Sequence, residues 1–128
     1  DRAVGLFQAH TRLERRLVSP FAIYYELPAS LLRAVRMGRL NDRAARDALD
    51  LFLSLRLPIV GGDRHSAASL AQGAYQLAST LGCSYYAGVF LALAQRLETQ
   101  LVTADEKVFR SLAGRTPLLR WLGDVQLP

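Results

Sequence analysis

Four short apolar runs, separated from one another by helical stretches, restrict most strongly what this chain can fold into. They are "LVS" at 17–19, "LPIV" at 57–60, "QLVT" at 100–103 and "LLRWL" at 118–122. Each is bounded by turn-forming residues and has the length of a buried strand. The stretches between them repeat apolar residues at helical spacing. Strands alternating with long helices predict an α/β fold, a parallel β-sheet flanked by helices on both faces. In such a sheet ligands bind outside the carboxyl ends of the strands. Candidate site residues therefore follow the runs: Ser19 and Pro20, Gly61 to Asp63, Asp105, and Gly123 to Asp124.

The helical stretches carry their own boundaries. In "DRAVGLFQAHTRLERR" Leu6, Leu13 and Leu17 lie near one face, which predicts an amphipathic first helix. Pro20 suits the first turn of the next helix, which runs to a cap at Gly38, with Pro28 expected to kink it. Asn41 or Asp42 caps a helix that points Ala45, Leu49, Phe52 and Leu53 at the core. Asp63 and Gly82 bracket the fourth helix, Ser84 caps the fifth, and a short sixth follows the third run.

At 128 residues the chain is expected to form one domain, 1–128, large enough to bury a real core. It opens on Asp1 rather than Met, so further native sequence is expected before it. Arg56, Gln95 and Arg96 interrupt the longest apolar stretches, so no membrane span or membrane partner is expected. The lone Cys83 excludes an internal disulfide and a Cys-rich zinc site, which fits a cytoplasmic setting. Sixteen Lys and Arg against eleven Asp and Glu give a net charge of +5, a balance that permits a polyanionic partner.

Most familiar catalytic patterns are absent. There is no GxxxxGK[ST] and no GxGxxG, and "GGDRH" has glycines at the wrong spacing. Cys83 has no His near it in sequence and reads as a structural thiol. His10 and His65 read as solvated residues on arginine-rich helical faces, and Asp42, Asp47, Asp50 and Asp63 as polar-face or capping residues. Glu26 differs, because "FAIYYELPASLL" offers it no obvious solvated face. A buried carboxylate must be paired, protonated or bound to a cation. Asp105 ends the "LVTA" strand, and Thr103 sits two residues before it on the same side. Oxygens from two separate elements suit Mg²⁺ or Mn²⁺.

Two longer stretches carry a resemblance. "LVSPFAIYYELPASLLRAVRMGRL" and "YYAGVFLALAQRLETQLVTADEKV" resemble the PIN domain, the metal-dependent nuclease fold of VapC-type toxins in toxin–antitoxin pairs. The match of segments runs over nearly the whole chain. It implies a PIN-like fold and Mg²⁺- or Mn²⁺-dependent hydrolysis of RNA phosphodiesters, with an antitoxin partner and a homodimer. By this resemblance Glu26 and Asp105 take the places of two acids that are both catalytic and metal-binding. Thr103 takes that of a neighbouring site hydroxyl, while Arg33, Arg36 and Arg39, with Arg43, are placed to contact the RNA backbone.

The chain departs from the family pattern at two acids. Ala87 stands where the resemblance expects the third acid, in the first turn of the helix capped by Ser84. The first acid belongs on a strand that would precede residue 1, and that strand would lie at the centre of the sheet. Ala29 also replaces a polar residue common in the family. Three explanations stand open for Ala87: deliberate replacement, natural loss in a non-catalytic RNA- or protein-binding module, or a register in which another acid serves. As it stands, the chain is expected to cut RNA poorly or not at all.

Overall fold

The structure, a computed structural model, describes residues 2–128; Asp1, where the first predicted helix starts, lies outside them. Two strands open the architecture. β1 (Ser19–Pro20) runs parallel to β2 (Ile59–Val60), with Ser19 opposite Ile59 and Pro20 opposite Val60. β3 (Leu101–Thr103) runs parallel to β4 (Leu119–Trp121), with Val102 opposite Arg120. The expected single sheet is therefore two small parallel sheets, β1–β2 and β3–β4. Among the described residues no strand joins the free edges of β1 and β3, and a helix spans the distance instead.

That helix is the fifth of six: α1 (Arg2–Thr11), α2 (Ile23–Arg36), α3 (Asp42–Ser54), α4 (Arg64–Leu81), α5 (Tyr85–Arg96) and α6 (Glu106–Leu112). α5 packs against α4, β1 and β3. Its Val89, Ala92 and Leu93 join Leu70 and Ala74 of α4 in a core that also takes Val18 and Val60. Its Leu91, on another side, joins Leu81, Leu112 and Leu119 against the second sheet. A helix covered on several sides must be apolar on several sides, which accounts for "GVFLALA". Small residues bring α4 and α5 together. A Cβ placed on Gly88 would lie 2.5 Å from the carbonyl oxygen of the fully buried Ala74.

The predicted caps for α3 to α5 are present. Asn41, rather than Asp42, accepts from the Ala44 N–H at 2.8 Å, Asp63 from Ser66 at 3.0 Å, and Ser84 from Ala87 at 3.1 Å. Gly38 and Gly82 take left-handed conformations, with φ of 70° and 67°, just past their helices.

Three local expectations need correction. α1 stops at Thr11 and Leu13, expected in the core, is 91% exposed with a φ of 60°. The Ala9 carbonyl there accepts the N–H groups of Glu14 and Arg15, which turns the chain away. Pro20 pairs in β1 rather than opening α2; it has no N–H to donate, and the ladder bond to the Val60 carbonyl comes from Phe21 at 2.7 Å. α2 runs from Ile23 to Arg36 with Pro28 inside it. Leu53 is 47% exposed, and α3 packs chiefly on α2, through contacts such as Tyr24 against Phe52. No described helix is by itself long and apolar enough to cross a membrane.

Candidate functional site

Glu26 lies in the first turn of α2, the helix that follows β1. It is half-buried, and burial alone raises its carboxyl above the usual range. Among the described residues no donor or cation pairs with that carboxylate. The expectation that its helix lacks a solvated face is corrected: α2 has no fully buried residue, and the adjacent Tyr25 is 66% exposed. Glu26 is only half-buried, so its carboxylate keeps access to water and tolerates the position without a partner.

Asp105 caps α6 immediately beyond β3. Its Oδ1 accepts the Val108 N–H at 3.0 Å, and its own N–H donates to Thr103 Oγ1 at 3.1 Å. Thr103 and Asp105 thus act together in turning the strand into the helix, with Asp105 exposed and Thr103 half-buried. Ala87 is half-buried in the first turn of α5, between the Ser84 cap and Gly88. No hydrogen bond or ion pair joins Glu26 to Asp105.

Whether these residues fit a divalent ion can be judged from their oxygens. Magnesium and manganese favour several oxygen donors. Here one oxygen of Asp105 is committed to a helix cap, Glu26 stands apart in the hydrogen-bonding pattern, and Ala87 offers no side-chain donor. No group of three or more His, Cys, Asp or Glu side chains able to hold a metal exists among the described residues. The set does not amount to a complete metal site.

Arg33 and Arg36 lie in the last turn of α2, with Arg39 in the turn beyond. All three are exposed, as is Arg43, and none forms an ion pair; the ion pairs among the described residues are Arg46–Asp42 and Arg110–Glu106. His10, expected to be solvated, instead accepts the Leu17 N–H at its Nδ1 and ties down the loop before β1. Cys83 is half-buried against the second core cluster, as a structural thiol should be.

A cavity of about 200 Å³ was not anticipated from the sequence. It opens beside the carboxyl ends of β1 and β2. Pro20, Val60, Leu70 and Val89 line it together with Phe21 and Tyr25 from one side and Tyr85 and Tyr86 from the first turn of α5. Tyr25 directly precedes Glu26, and Tyr86 directly precedes Ala87, so each of these candidate positions is the sequence neighbour of a ring that lines the cavity. The available signal was the pair of dipeptides in "IYYE" and "SYYA", each a Tyr-Tyr step before a candidate position. Compared with models of known protein families and with curated protein sequences, the chain matches none.

Proposed function

We propose that this chain is a PIN-type, divalent-metal-dependent endoribonuclease scaffold, the toxin component of a type II toxin–antitoxin pair, with impaired cleavage. The observation that carries the reading is the placement of its acids. Glu26 follows β1, Asp105 follows β3, and both strands contact the same helix, α5, whose first turn contains Ala87. Ligand sites of parallel sheets belong at such ends. The net charge of +5 and the unpaired arginines of α2 suit an RNA backbone. The incomplete set of oxygen donors accounts for the impairment. The reading also implies a cytoplasmic protein that forms homodimers and binds an antitoxin.

One observation favours a second reading, a non-catalytic PIN-like module that binds RNA or protein. It is the absence of a three-acid group among the described residues. RNA cleavage measured for Ala87→Asp, in a chain that carries any native sequence preceding residue 1, separates the two. The nuclease reading expects Mg²⁺- or Mn²⁺-dependent cleavage at least about tenfold above the unsubstituted chain, a gain of about 1.4 kcal/mol in transition-state stabilisation. EDTA and Asp105→Asn should each abolish it. RNA bound but left uncut by Ala87→Asp under either metal would overturn the nuclease reading in favour of the binding module.

A further inference from the structure

We infer that the aromatic cavity between α2 and α5 is a nucleobase pocket for single-stranded RNA, with the RNA backbone leaving it along the exposed face of α2 towards Arg36. The inference rests on the RNA reading above and adds to it the form of the substrate. Two aromatic pairs border the cavity. Phe21 and Tyr25 have ring centroids 5.8 Å apart at 66°, and Tyr85 and Tyr86 have theirs 6.1 Å apart at 65°. These rings are not core. Tyr25, Tyr85 and Tyr86 are 66%, 46% and 51% exposed, while the Leu70 and Val89 floor beneath them is buried. A floor without charge and walls of accessible rings suit a flat heteroaromatic ligand, which gains by stacking whatever its sequence identity. A volume of about 200 Å³ holds one base and not a duplex.

Charge supplies the direction of the strand. Tyr25, Ala29, Leu32 and Arg36 are four, three and four residues apart, which places them on one face of α2, and all four are exposed. The face runs roughly 16 Å from the cavity to the arginine. Arg33 and Arg39 flank its basic end, and none of the three arginines is neutralised by an acid among the described residues. A duplex would present phosphates without a free base, and an apolar partner helix would meet a face that turns basic within three turns. A single strand satisfies both the rings and the arginines.

The test is binding of a fluorescein-labelled single-stranded RNA, followed by anisotropy in EDTA so that cleavage plays no part. Tyr25→Ala and Tyr86→Ala should each weaken binding roughly five-fold to a hundred-fold. Tyr75→Ala, which removes an exposed ring outside the cavity, should leave it unchanged, and Tyr86→Phe, which keeps the ring, should bind more tightly than Tyr86→Ala. Arg36→Ala should reduce the salt dependence by about one ion. An independent arm needs no variant: abasic substitutions scanned along the RNA should weaken binding to the unsubstituted chain at one position most. RNA binding indifferent to Tyr25→Ala, Tyr86→Ala and the abasic scan overturns the pocket while leaving the ribonuclease reading standing on Ala87→Asp cleavage. Loss of a self-associated species in Tyr86→Ala, with RNA binding intact, would make the cavity a contact between copies and overturn it equally. No RNA binding at all, with no cleavage by Ala87→Asp, removes both readings together.

Discussion

The hydroxyl of Ser84 accepts the backbone N–H of Ala87 across 3.1 Å, so Ala87 is the third residue of α5 rather than part of the loop before it. Position 87 therefore lies in the first turn of a helix, where negative charge is stabilised, and follows Tyr86, which lines the aromatic cavity.

Ala87→Asp should consequently fold as well as the unsubstituted chain or slightly better. Charge in the first turn contributes about 0.3–1 kcal/mol at low ionic strength, and salt should reduce the gain. Thermal unfolding at two salt concentrations checks this apart from any RNA cleavage. A loss of more than about 1 kcal/mol would show that the local packing cannot accept the carboxylate.

Asp105 has a structural duty that must be separated from its chemical one. Its Oδ1 caps α6, so Asp105→Ala should cost about 1 kcal/mol of stability. Asp105→Asn keeps an acceptor at the same place and should be nearly neutral in denaturant unfolding. Loss of cleavage in Asp105→Asn, measured in the Ala87→Asp background, would then report charge rather than folding.

Gly88 tests the contact on which α5 depends. Alanine is ordinarily the better helix former by about 1 kcal/mol. Here its Cβ would meet the Ala74 carbonyl oxygen at 2.5 Å, backbone that cannot swing aside. The steric term should win, and Gly88→Ala is expected to destabilise the fold by about 1–3 kcal/mol in urea unfolding. Unchanged or increased stability would mean that the two helices can separate at no cost.

Glu26 should make stability depend on pH in the sense opposite to a salt-bridged acid. Its folded pKa is raised above 4.5 by desolvation, so folding favours the protonated form. The associated stabilisation is fully present below 4.5 and is lost as pH rises through the raised folded value. Glu26→Gln should therefore be the more stable protein at neutral pH, and should lose that advantage below the ordinary glutamate range. Melting temperatures of both proteins across that range decide the point; a Glu26→Gln advantage that grows at low pH would show the sign to be wrong.

The local grammar of the chain was legible because its causes are local. Asn41, Asp63 and Ser84 cap the helices that follow them, and Gly38 and Gly82 end helices in left-handed conformations. Short apolar runs became parallel strands near their expected places, since period and turn chemistry act over a few residues. Burial was less legible. Leu53 carries the right spacing yet is exposed, because a helix stripe is buried only if another element arrives to cover it, and Leu13 is exposed because α1 ends before it.

What the sequence by itself determined is the order of elements, the caps, the α/β class, and the position of Glu26 and Asp105 after their strands. Tertiary structure alone decided that β1–β2 and β3–β4 stand as two sheets bridged by α5. It also brought Phe21 and Tyr25 to the same cavity as Tyr85 and Tyr86, across some sixty residues of chain. Hydrogen bonds of turns and caps reach three or four residues, whereas a cavity depends on which surfaces the hydrophobic core draws together, and α5, apolar on several sides, drew these.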